Sequence, residues 1–175
     1  CNASPAADSV PALIAAGAKA VIAGPNGTRM APVEDLLIKP GQTSLAPGEL
    51  IISFALSRPP KSSGDAYLRF IPRTEMDIAV VGAGVSVTLN PDGTCAAARV
   101  ALGAVAPTAR LVAQAPDILL GKKLDDGVLA DLAAAASATC QPIDDKRGTI
   151  KFRTTVAGVL TCRAIKIAWE RAEKN

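Results

Sequence analysis

Apolar and polar positions fall in blocks along the chain, and the spacing within each block predicts an element. Residues 8–17, DSVPALIAAG, place an acid and a hydroxyl ahead of Pro11, apolar residues at Val10, Leu13 and Ile14, and Gly17 as a stop. This predicts a short helix over 9–16 for which Asp8 is a candidate N-cap. KAVIAG and TRMAPV flank the turn-forming triplet Pro25-Asn26-Gly27 and predict a hairpin. After a loop containing Pro40-Gly41, the apolar run Glu49–Leu56 predicts one largely buried strand.

Composition then shifts to Pro, Gly, Ser and charge at SRPPKSSGD, residues 57–65, which marks a domain boundary. The expected organisation is residues 1–57, a linker over 58–65, and a second domain over 66–175. Three strand-like runs follow at 66–71, 77–89 and 95–104, the last two joined through Asn90-Pro91-Asp92-Gly93. Helical spacing takes over at 109–120 and 127–140, where Asp125 and Asp126 supply caps and Val128, Leu129, Leu132 and Ala136 share one apolar face. A last helix from about Thr149 to Lys174 places Phe152, Val156, Val159, Leu160, Ile167 and Trp169 on its expected buried stripe. The expected fold class is therefore α+β, with a three-stranded antiparallel sheet and a three-helix bundle in the second half.

Several functional classes drop out on composition. The 175 residues carry a net charge of +3, with 19 scattered Lys and Arg and few aromatics, so no nucleic-acid surface is indicated. No run approaches the ~20 uncharged apolar residues of a transmembrane helix. Histidine is absent, which removes Ser-His-Asp and Cys-His nucleophiles and His-ligated zinc. Cys1, Cys95, Cys140 and Cys162 form no CxxC pair, so no metal site is expected, and four separated thiols fit a reducing cytoplasm. The chain begins with Cys and shows no signal-peptide pattern, so it reads as a piece of a longer polypeptide.

Two motifs compete in YLRFIPRTEMDIAVVGAGVSV, residues 67–87. A dinucleotide fingerprint needs GxGxxG between a strand and a helix. Gly82-Ala83-Gly84 lacks the third glycine and runs on into strand-like residues, so its glycines read as strand packing. The charged knot before it, with Arg73, Glu75 and Asp77, reads either as a solvated entry to the sheet or as the junction between the two domains.

Taken together, ASPAAD at 3–8, APGELI at 46–51, AYLRFIPRTEMDIAVV at 66–81, LGAVAPTA at 102–109 and DDKRGTIKFRTTVAGVL at 144–160 resemble the FAD-binding medium subunit of the molybdenum hydroxylases, the family of xanthine dehydrogenase and aerobic carbon monoxide dehydrogenase. The resemblance is collinear along nearly the whole chain. It implies the later part of an FAD-binding domain of the p-cresol methylhydroxylase type, followed by a C-terminal domain with a three-stranded sheet and a helix bundle. The family's two glycine-rich pyrophosphate loops, the later shaped like TIGGN, would precede Cys1.

The site residues the resemblance implies are few. Asn2 matches the segment leaving the TIGGN loop, Asp8 an acidic position that contacts FAD, and Ile51 a contact near the adenine. Arg69 stands where the family commonly has Lys, which turns a point charge into a planar fork. It also implies electron transfer from two [2Fe–2S] clusters of a small subunit, through FAD, to an external acceptor. The molybdenum cofactor would lie in a large subunit, within a dimer of heterotrimers. The competing readings are a non-catalytic docking module and a stand-alone FAD-dependent oxidoreductase of the same fold.

Overall fold

The computed structural model describes residues 3–73 and 77–175. Helix α1 (Ser9–Ala15) leads into the hairpin β1 (Lys19–Gly24) and β2 (Gly27–Pro32), a single 3-10 turn at Val33–Leu36, the small ladder β3 (Leu37–Lys39) and β4 (Gln42–Thr43), and strand β5 (Leu50–Ala55). β1 lies between β2 and β5 and runs antiparallel to both. Gly17, with φ at +66°, stops α1 as its sequence position predicts. Across the hairpin, Arg29 forks onto Glu49 with two bonds of 2.7 Å, which together with the Ala46 amide holds the Glu49 carboxyl down to about 2.

The second half is an antiparallel sheet of β6 (Ser63–Phe70), β7 (Val81–Leu89), β8 (Cys95–Gly103) and β9 (Arg110–Leu111), in that spatial order. Helices α2 (Ala115–Leu119), α3 (Asp126–Thr139) and α4 (Ile150–Lys174) complete it. Asp125 accepts a hydrogen bond from the Val128 amide and Thr149 one from the Phe152 amide, so α3 and α4 are both capped by side chains, whereas Asp126 is already inside α3. The main core joins β7 and β8 to α3 and α4 through Val85, Val100, Leu102, Leu132 and Ile165.

Several elements differ from expectation for identifiable reasons. The sheet has a fourth strand because Arg110 and Leu111 pair with Leu102 and Ala101, and this ladder takes the first half of the helix expected over 109–120. β6 starts at Ser63, and β7 starts at Val81, where the pairing with Phe70 begins. β5 is not buried: it is an edge strand, and Leu50, Ile52 and Leu56 just beyond it are 69%, 60% and 58% exposed. A continuous apolar run is compatible with two covered faces, but within the described residues only β1 pairs with this strand.

The buried face of α4 is also not the expected one. Leu160 and Trp169 are buried, but Phe152 and Val159 are exposed, and the inward face is built largely from Ala157, Gly158, Thr161, Ala164, Ile165, Ala168 and Ala172. Contact distance explains the choice. A Cβ on Gly64 of β6 would stand 2.0 Å from the Ala168 carbonyl oxygen and 2.6 Å from the Ala172 amide nitrogen. Helix and strand backbones touch there, and only small side chains fit between them.

Among the described residues of this half, an arginine is enclosed at the start of the last helix. Arg153, in the first turn of α4, is 4% exposed. It donates to Asp145 Oδ1 at 2.7 Å, to the Val80 carbonyl at 2.9 Å and to the Ala104 carbonyl at 3.1 Å. Ala104 has φ at +62°, and its amide donates to the Pro5 carbonyl at 2.7 Å. A single guanidinium thereby ties α4 to the entry of β7, the exit of β8 and the segment before α1.

The α4 contact predicts that Gly64→Ala lowers the unfolding free energy by about 3 kcal/mol or more, since a backbone clash cannot be relieved by a side-chain rotation. Gly127→Ala, at the start of α3, meets nothing closer than 3.4 Å and should change it by no more than about 1 kcal/mol. Urea unfolding followed through Trp169 fluorescence measures both.

Candidate functional site

The face of the sheet opposite α4 carries α1, and their contact is again a matter of missing side chains. A Cβ on Gly84 would lie 2.6 Å from the Pro11 carbonyl oxygen, and one on Gly103 3.0 Å from the Pro11 ring. The two glycines of VGAG thus lie within the continuous strand Val81–Leu89 and make room for a helix and a side chain, as strand packing requires. Arg99 of β8 donates to the Ile14 carbonyl at 3.0 Å and to Glu34 at 2.7 Å, which holds the far end of α1.

Seating α1 there brings its first turn over β6. Strand alternation puts Tyr67 and Arg69 on the α1 side, and both reach Asp8. Arg69 Nη1 donates to Asp8 Oδ2, and the Tyr67 hydroxyl donates to Asp8 Oδ1 at 3.1 Å. Asp8 is therefore no side-chain cap: its backbone is already helical and its carboxylate makes no bond to the α1 amides. Arg69 is not an uncompensated cation either, since its charge is matched across 61 residues of chain. The side chains of Arg69 and Asp8 remain 36% and 38% exposed, and each keeps hydrogen-bonding capacity for a further partner. Burial, and secondly the Asp8 carboxylate, push the Tyr67 phenol well above its ordinary value, so it is a hydrogen-bond donor at neutral pH.

Ile51 belongs to a neighbouring feature. Together with Phe54, Thr43 and the α1 approach at Ala3, Ser4 and Ala7 it lines a largely apolar cleft of about 280 Å³. Ala3, at its edge, is buried with φ at +51°, a strained conformation for a residue with a Cβ. The cleft and the Asp8 cluster meet at the first turn of α1, where Ala7 and Ser9 line the cleft and Asp8 turns to the sheet. Asn2 lies outside the described residues, as does Glu75 of the charged knot. Of that knot, Asp77 accepts from Arg73 at 3.3 Å and from Arg147 at 3.5 Å.

Residues 1–59 match the family described as the FAD binding domain in molybdopterin dehydrogenase, and residues 66–168 match the CO dehydrogenase flavoprotein C-terminal domain. The chain belongs to the flavoprotein family of carbon monoxide and xanthine dehydrogenases. It is 33% identical over 172 residues to the carbon monoxide dehydrogenase medium chain of Afipia carboxidovorans, covering 98% of this chain and 59% of that protein. It is 27% identical over 169 residues to a putative xanthine dehydrogenase FAD-binding subunit of Escherichia coli K12. The solved carbon monoxide dehydrogenase of Hydrogenophaga pseudoflava superposes with a TM-score of 0.92 at 32% identity, over 97% of this chain and 58% of that one. Quinoline 2-oxidoreductase of Pseudomonas putida 86 superposes at 0.86 with 29% identity. The chain thus spans about three-fifths of the length of the relatives it matches.

Tyr67 escaped the sequence reading, although its spacing of two from Arg69 on a strand was a usable signal. Arg153 left no such trace, because nothing in KFRTTV distinguishes an enclosed arginine from a solvated one. The half-exposed geometry of the Asp8–Arg69 pair predicts that Asp8→Ala lowers the unfolding free energy by no more than about 1 kcal/mol, as for other surface ion pairs. Thermal unfolding checks this, and a larger loss would assign Asp8 to the scaffold.

Proposed function

We propose that this chain contributes part of an FAD site to the medium subunit of a molybdenum hydroxylase. The observation that supports the reading is the Asp8–Arg69 pair, formed between the two family-matched segments at the end of an apolar cleft. The residues suit such a ligand. Asp8 has lone pairs for sugar or ribityl hydroxyls, Arg69 has N–H groups for a phosphate or ring oxygen, and Ile51 and Phe54 offer an apolar wall. At about 280 Å³ the cleft suits one moiety of a dinucleotide rather than the whole.

When bound, FAD supplies the redox chemistry, taking up electrons from a donor and releasing them to an acceptor. The chain's own part is to bind and orient. Asp8 and Arg69 present an acceptor and a donor side by side, so a ligand group that spans them is held in one orientation. In the complete assembly the electrons come from [2Fe–2S] clusters of a small subunit, fed by a molybdenum centre in a large subunit. A dimer of such heterotrimers in the cytoplasm is the proposed setting. The medium-chain relatives support the partners, and the free thiols of Cys95, Cys140 and Cys162 fit a reducing compartment.

Affinity arithmetic sets the expectation for this chain alone. Two charge-assisted hydrogen bonds contribute roughly 1.5–3 kcal/mol each, which corresponds to a Kd between about 0.05 and 5 mM. An amide chemical-shift titration with FAD should show saturable changes at Ala3–Asp8, Ile51 and Arg69 in that range, while the purified chain is colourless. No saturable change up to the solubility limit of FAD contradicts the proposal.

A further inference from the structure

We propose that Tyr67 is a positioning residue for this site: its phenol, seated over Gly82, fixes the Asp8 carboxylate at the oxygen that Arg69 does not take. The inference rests on the FAD-binding reading above and adds to it a residue, and a reason for a glycine, that neither family resemblance nor motif spacing supplied.

A half-exposed Asp–Arg pair held by a single contact is a poorly fixed object. Two flexible side chains lose rotamer freedom to meet, and water competes for both partners. A second donor on the other carboxylate oxygen removes the remaining rotation of Asp8. Tyr67 is suited to this, because its ring is rigid and partly buried, with only the hydroxyl reaching the polar cluster.

The space for that ring comes from Gly82. In the β6–β7 register Gly82 pairs with Arg69, and Gly84 with Tyr67. A Cβ on Gly82 would stand 2.8 Å from the Tyr67 hydroxyl oxygen and 3.4 Å from two ring carbons. Gly82 is not among the residues with positive φ, so backbone conformation does not call for a glycine. The room taken by the phenol does. The two glycines of VGAG therefore divide their work: Gly84 admits Pro11 of α1, and Gly82 admits the ring that holds Asp8.

Charged groups around the phenol are Asp8 and Arg69, in direct contact as a cluster, and Asp65, which lines the same small cleft as Tyr67 beneath α1. Burial first, and then Asp8, raise the cost of ionising the phenol, and Arg69 lowers it. The hydroxyl is consequently a fixed donor through the neutral range, and the carboxylate always has its second partner.

Tyr67 is the single tyrosine of the chain, so the near-ultraviolet tyrosinate band reports on it alone. In the wild-type chain its titration midpoint should lie above the ordinary value of about 10. Asp8→Asn removes a negative neighbour and should lower that midpoint; an unchanged midpoint overturns the coupling. In the FAD titration, Tyr67→Phe should weaken binding about three- to tenfold with thermal stability retained. Equal affinity in wild type and Tyr67→Phe overturns the positioning role and leaves FAD binding standing. If no form binds FAD, the cofactor reading is overturned, and the positioning role falls with it even where the tyrosinate midpoint still responds to Asp8→Asn.

Discussion

Everything at the candidate site depends on how closely α1 approaches the C-terminal sheet. The approach is backbone to backbone: the Pro11 carbonyl occupies the space a side chain on Gly84 would need, and its ring lies against Gly103. At that separation the first turn of α1 comes within reach of β6, and Asp8 meets Tyr67 and Arg69. A bulkier residue at position 84 would lift the helix and separate the pair. The site is thus a consequence of packing between the two segments, and neither segment alone contains it.

The opposite face of the sheet uses the same device for a different end. Gly64 lets α4 settle onto β6, with Ala157, Ala164, Ala168 and Ala172 facing inward, and Arg153 then pins the start of that helix to both neighbouring strand ends. The sheet is held rigidly from behind, and the polar cluster sits on its other side. β5 and its exposed Leu50, Ile51 and Ile52 lie at the margin of this frame.

Much of the fold was legible in the sequence because local signals and tertiary packing agree. Gly17 ends α1, Asn90-Pro91-Asp92-Gly93 turns β7 into β8, and Asp125 and Thr149 cap the helices they precede. Where the reading of α4 failed, packing distance had overridden residue type. Phe152 and Val159 look like core residues, yet where α4 touches β6 the backbones are too close for large side chains and the helix presents Ala168 and Ala172 to Gly64. The candidate site was half legible. Asp8, Ile51 and Arg69 entered through family resemblance, whereas their arrangement required the structure. Asp8 also reads as a helix cap from its local sequence, and its pairing with Arg69 becomes visible only when residues 61 apart meet.

The central claim is that Asp8 and Arg69 act on FAD as one unit assembled across the two segments. A double-mutant cycle on FAD affinity, using Asp8→Asn, Arg69→Gln and the double variant, tests it most directly. Residues that bind as a unit should show a coupling energy of about 1 kcal/mol or more, the double variant losing clearly less than the sum of the single losses. Additive losses, or single variants that bind FAD as well as the wild type, would contradict the account.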